Sequence, residues 1–158
     1  MAEGAVHRYR ARTAWSGSTG GGYDAYDRAH AASAPPAADE LALSSDPAFG
    51  GDPARLNPEQ LLVLAASSCQ LLSFLAVAAR ARIDVVAYED DAEAMMPEDD
   101  HPLRITRIVL RPRIVVRGPG APDDERLLQL VHTAHRHCFI ANSLRCEIAL
   151  DPSFERQG

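Results

Sequence analysis

A chain of 158 residues is the length of one domain, and its 46% hydrophobic content is that of an ordinary globular protein. A formal net charge of -6 argues against a nucleic-acid groove or an anionic membrane surface as partner. The 16 basic residues are all arginine, a compositional habit without functional weight, and the 3 cysteines, an odd number, point to free or reactive thiols rather than a disulfide framework.

The N-terminus, MAEGAVHRYRARTAW, has no apolar signal core, so a cytoplasmic protein is expected. Residues 5–16 alternate loosely between apolar and polar positions and predict a strand with one wet face. The run GSTGGG at 17–22 breaks it, and YDAYDRAHAAS predicts a second strand joined to the first as a hairpin, with Arg28 and His30 in its distal half. The Ala/Pro run 31–38 reads as a connection, and Glu40–Ser44 as a short third strand. A Gly/Pro-rich loop, DPAFGGDPARLNP, follows, with Arg55 as its one positive charge.

Asn57–Arg82 is expected to be the central helix. Asn57 at the N-cap, Pro58 at the first position and Gln60 at the third make a capping-box start, and Glu59 adds a carboxylate where the helix dipole favours one. Leu61, Leu62, Leu64, Ala65, Leu71, Leu72, Leu75, Val77 and Ala78 keep the segment apolar on most sides, as for a helix covered by sheet or by a second subunit. Ser67, Ser68, Cys69, Gln70 and Ser73 interrupt that run and favour a buried soluble helix over a membrane span. A lone cysteine on an apolar helix is ordinarily an inert small hydrophobe, so Cys69 gains interest only if a second thiol joins it.

Residues 83–94 and 103–117 predict a long antiparallel hairpin whose loop is MMPEDDHP, with Pro112 at an edge or a bulge. The acidic runs 89–91 and 98–100 read as solvated charge. Asp123 and Asp124 start a second helix that ends at His137 or Cys138, with Leu127, Leu128, Leu130, Val131 and Ala134 as its apolar stripe. LRCEIAL, residues 144–150, predicts a last strand in which Cys146 is packed rather than reactive. No internal repeat is present.

The remaining candidate thiols, Cys69 and Cys138, are far apart in sequence, so no C-x-x-C signature exists and spacing alone does not bring them together. His132, His135 and Cys138 have helical spacing that zinc ligands use, but histidines are also favoured at a helix C-terminus by its dipole. Ser67 and Ser68 lack a G-x-S-x-G elbow, which sets a hydrolase aside.

The succession NPEQLLVLAASSCQ, AYEDDAEA, RITRIVLRPRIVV and AHRHCFIANSL resembles the OsmC/Ohr family of osmotically inducible and organic hydroperoxide resistance proteins, over about residues 5–152. The resemblance implies an α+β, OsmC-like single domain with antiparallel sheets around a cysteine-bearing helix, in an intertwined homodimer with active sites at the interface. It further implies a thiol-dependent peroxidase of oxidative-stress defence, with Cys69 as peroxidatic thiol, Cys138 as resolving thiol and Glu59 as the carboxylate orienting a catalytic arginine. No cofactor or metal is implied; the partners would be an organic hydroperoxide and a dithiol reductant such as a lipoylated protein. The family's arginine falls about ten residues before the glutamate, where this chain has Phe49, Gly50 and Gly51; Arg55 or Arg28 could supply the charge instead, and if neither reaches Cys69 its thiolate is less stabilised and peroxidase activity weak or absent. The alternative is a non-catalytic relative that binds an apolar ligand in the same inter-subunit pocket.

Overall fold

The computed structural model describes residues 4–158, in which nine strands and two α-helices form two compact units, Met1–Leu61 and Leu62–Gly158. The first unit holds an antiparallel sheet of β1 (Arg12–Ala14), β2 (His30–Ser33) and β3 (Glu40–Leu43), in that order. The expected hairpin is present, but its strands are shorter and displaced. Residues 4–11 form no strand, and residues 23–29 form a turn-rich approach in place of the expected second strand. The cause is Arg28, which donates to the backbone carbonyls of Tyr26 at 2.8 Å and Tyr23 at 2.7 Å and so holds that stretch in a compact turn. Ala31–Ser33, expected in the connection, pair instead in β2, where β1 and β3 offer backbone ladders on both sides.

Beyond β3, the Asp46 side chain accepts from the Ala48 N–H at 2.7 Å and starts a short 3-10 turn, Pro47–Phe49. The loop then returns, with the Ser44 N–H donating to Leu56 O at 2.9 Å. Helix α1 (Pro58–Arg80) opens with the anticipated capping box: Gln60 N–H donates to Asn57 Oδ1 at 2.8 Å and Asn57 N–H to Gln60 Oε1 at 3.0 Å. It closes with Arg82 left-handed at φ 58° and the Ile83 N–H bonded to Ala78 O at 3.0 Å, a Schellman ending built without glycine.

In the second unit the long hairpin exists but is broken in the middle. Strands β4 (Asp84–Asp90) and β5 (Glu93–Met95) face β7 (Pro112–Arg117) and β6 (Arg107–Leu110) respectively. The break divides the hairpin between two sheets, β4-β7-β9 and β5-β6-β8, which are mixed rather than antiparallel as expected, because β8 (Glu147–Leu150) joins parallel to β6 and β9 (Ser153–Gln157) parallel to β7. Pro112 therefore opens a central strand, not an edge; as first residue it interrupts the ladder at the crossing between sheets. The Asp90 carboxylate fills that gap by accepting from the Arg111 N–H at 2.7 Å and the Ser67 hydroxyl at 2.5 Å. Reading the acidic run as solvated charge thus fails at Asp90, which is half-buried and hydrogen-bonded.

Helix α2 (Asp124–His137) is capped by Asp123, whose carboxylate accepts from the Arg126 N–H at 2.9 Å. Its buried stripe is Leu127, Leu130, Val131 and Ala134, while Leu128 turns outward. With Phe74 and Ala78 of α1 and Ile114 and Val116 of β7 these residues form the larger core; Ala66 of α1 joins Ile108 and Leu110 of β6 in a smaller one.

Candidate functional site

Cys69 stands midway along α1, half-buried, and Cys138 is the buried C-cap of α2. The two helices share the larger core, and the Gln70 side chain ties them by donating from Nε2 to Val131 O at 3.2 Å. That packing brings together two thiols that are distant in sequence. They lie near enough for each thiol to shift the pKa of the other, and both are reduced.

The pair is electrostatically unequal. Burial pushes the Cys69 thiol up, but hydrogen bonds from the Cys138 thiol, the backbone at Ile140 and Phe139, and the Ser73 hydroxyl outweigh it and leave Cys69 below the ordinary thiol value. Ser73 lies four residues after Cys69, one turn along the same helical face. Cys138 is pushed up to about 11, first by burial and then by the bond it gives to Cys69, against which the Ala141 N–H, 3.4 Å from its sulfur, acts only in part. The segment after α2 turns its amides inward: Asn142 N–H bonds to Cys138 O at 3.0 Å and Ser143 Oγ donates to Phe139 O at 2.7 Å, fixing the chain that presents Phe139, Ile140 and Ala141 to the sulfurs. Chemically this is a nucleophile of lowered pKa beside a protonated thiol, the arrangement for oxidation at one sulfur and capture by the other.

The other anticipated site residues lie in the first unit. Glu59 is half-buried in the first turn of α1. Arg55 is exposed and paired with Asp52 at 3.4 Å. Arg28 is more firmly held: its guanidinium carbon lies 4.7 Å from the Tyr23 ring centroid and 4.2 Å from that of Tyr26. A Cβ built on Gly50 would meet that same carbon at 2.8 Å, so the guanidinium occupies the space where a side chain at position 50 would begin. Gly51 has no room for any side chain, since a Cβ there would approach Ser45 O to 1.6 Å. Trp15, Tyr26, Arg28 and His30 also line a hollow of about 430 Å³.

The histidine reading does not assemble. His132 is exposed, His135 is half-buried with its imidazole pKa lowered by burial and by His132, and the Cys138 sulfur is turned to Cys69. No group of three or more potential metal ligands is gathered among the described residues. The sequence shows Ser73 only as a polar interruption of the apolar run; its role as a hydrogen-bond donor to Cys69 follows from its place one turn along the same helix.

The family model described as OsmC-like protein matches residues 50–153. Among solved structures, an OsmC-like protein of unknown function from Vibrio cholerae is 29% identical with a TM-score of 0.86, covering 94% of this chain and 100% of that one. An organic hydroperoxide resistance protein from Elizabethkingia anophelis, with thiocyanate bound, is 17% identical with a TM-score of 0.71, covering 97% and 99%. An OsmC-like protein from Mycoplasma pneumoniae is 12% identical with a TM-score of 0.75, covering 96% and 99%. No curated protein matches the sequence.

Proposed function

The chain belongs to the OsmC-like protein family, and we propose that within it this protein is a thiol-dependent peroxidase that reduces organic hydroperoxides through Cys69 and Cys138. The observation that carries the reading is the unequal thiol pair, in which Cys138 and the backbone that follows it lower the pKa of Cys69. The Cys69 thiolate attacks the outer peroxide oxygen; the O–O bond breaks, an alkoxide leaves and takes a proton to become the alcohol, and Cys69 becomes a sulfenic acid. The Cys138 sulfur then attacks Cys69, the S–O bond breaks, and water departs as the disulfide forms. A dithiol, such as a dihydrolipoyl group, restores both thiols by exchange and is itself oxidised to a disulfide.

A nearby cation would lower the Cys69 pKa further. Arg28 is the better candidate, because its guanidinium fills the space at Gly50 that the family's usual arginine position would claim, whereas Arg55 is exposed and paired with Asp52. Glu59 is the carboxylate assigned to orient it. A homodimer accounts for the leucines that α1 leaves uncovered, Leu64 at 54% and Leu72 at 64% exposure. The cytoplasm, whose thiol pool keeps cysteines reduced, is the compartment in which this cycle turns over.

Purified protein should consume cumene hydroperoxide in the presence of a dithiol, and Cys69→Ser should abolish the consumption. Turnover that survives the substitution removes the proposal. A second reading, a relative that binds an apolar ligand without catalysis, is favoured by the glycines at 50 and 51 and by the aromatic lining of the hollow beside Arg28. Thiols that never oxidise under peroxide, together with saturable binding of an apolar ligand, would select it.

A further inference from the structure

The end of α1, the start of β4 and the loop that leads from β7 into α2 enclose a hollow of about 370 Å³ in the second unit. Its wall carries Arg82, Arg117 and Arg126 against a single carboxylate, Asp84, with Ile83 and Pro122 as apolar floor. The chain as a whole has a net charge of -6, so this is a local reversal of sign, and a concave wall of one sign concentrates its field on an anion. The loop side is shaped by the chain's own bonds: the Ala121 N–H donates to Gly118 O at 3.1 Å, and Arg156 donates to Pro122 O at 2.7 Å.

Most of the donors on these arginines are not spent on the fold. Arg117 is anchored, with Nε and Nη2 each 3.0 Å from Asp84 Oδ2. Arg126 donates from Nη1 to a neutral acceptor, Gln129 Oε1, at 3.3 Å, and neither it nor Arg82 makes an ion pair among the described residues. The acids at the head of α2 do not compete: none lines the hollow, Asp123 caps the helix through the Arg126 N–H, and Asp124 pairs with Arg156 at 2.7 Å. Arg82 also stands where its backbone would be better served by glycine. It closes α1 in the left-handed region, φ 58°, so the chain bears a conformational cost at a residue whose side chain supports nothing in the fold. Such an outlier points to a use for the side chain itself.

We propose that this hollow binds a small organic phosphate, its phosphate group held by Arg82 and Arg126 beside the anchored Arg117 and its organic body resting on Ile83 and Pro122. Guanidinium forks meet phosphate oxygens in pairs, with geometry that an ammonium does not offer. The guanidiniums that exceed Asp84 balance the charge of a phosphate monoester near neutral pH. The hollow is larger than the phosphate group alone requires, which leaves room for the body of the ligand. The site uses neither thiol and stands apart from the peroxidase reading.

The test is calorimetric titration of the full-length protein with phenyl phosphate, and with inorganic phosphate and phenol as the two halves of that probe. Phenyl phosphate should bind saturably, one per chain, and more tightly than inorganic phosphate, while phenol should not bind. Arg126→Gln should weaken phenyl phosphate roughly tenfold, the effect of losing one charge-assisted contact. Arg82→Gly is the sharper variant. It relieves the left-handed backbone, so the urea midpoint should hold or rise, while affinity for phenyl phosphate falls roughly tenfold. Arg107→Gln, on β6 outside the hollow, should bind as the wild type does. Wild-type affinity in Arg82→Gly, or equal weakening in Arg107→Gln, overturns the assignment, the latter because general surface charge would then account for the binding. Retention on phosphatidate vesicles without saturable binding of phenyl phosphate overturns it in favour of a lipid surface.

Discussion

Helices α1 and α2 each bring one sulfur to the same place, yet they relate to their surroundings in opposite ways. In α2 the apolar residues are confined to a stripe, nearly all of it buried, and the acidic first turn and basic last turn suit its dipole. In α1 apolar residues run round most of the circumference, but the buried ones follow a single line, Ala66, Gln70, Phe74 and Ala78. The sulfurs share this contrast: Cys138 is sealed in and held protonated, while Cys69 is half-open and inclined to ionise. A helix whose pattern matches its burial is structural, and one whose apolar surface exceeds its burial has a second surface to satisfy.

The largest effects should come from the covered line of α1. Phe74→Ala removes a fully buried ring and should cost about 3–5 kcal/mol in urea unfolding. Leu72→Ala, on the uncovered side, should cost less than about 1 kcal/mol at low protein concentration. If instead the Leu72 cost approaches that of Phe74 and grows with protein concentration, the exposed leucines are covered by a second copy, which sharpens the contrast between the two helices.

A smaller effect concerns the inequality of the sulfurs. Alkylation follows the thiolate, and the pKa of Cys69 lies below the ordinary thiol value, so its alkylation rate should reach half-maximum at a lower pH than that of an unperturbed cysteine. Cys138→Ala removes the thiol that hydrogen-bonds to Cys69 and should move that midpoint upward. The Cys138 thiol itself should stay unreactive until the pH nears its raised value of about 11. Equal midpoints for the two cysteines would erase the distinction.

Much of the frame was legible because it rests on local chemistry. The capping box at Asn57 and Gln60, the acidic cap of α2 and the alternation of β7 are short-range patterns, and they appear where expected. What failed to show in the sequence depends on distant partners. Strand β9 has a single large apolar residue, Phe154, between polar ones, and it becomes a strand because β7 offers it a parallel ladder. Tyr23 and Tyr26 look like strand residues until Arg28 gathers their carbonyls. Of the site, the two candidate sulfurs were nameable from the sequence but could be paired only by family resemblance, since no spacing rule joins positions 69 and 138. The backbone groups of Phe139 and Ile140 that act on Cys69 carry no signature in residue type at all.

The claim on which the account turns is that Cys69 and Cys138 form one redox pair. Intact-mass and peptide mapping after a single equivalent of cumene hydroperoxide tests it most directly. The account predicts the loss of two hydrogens per chain and a peptide in which Cys69 is joined to Cys138, with no such species in Cys69→Ser. Reduced thiols that persist after the peroxide is added, or oxidation at Cys146 in their stead, would contradict it.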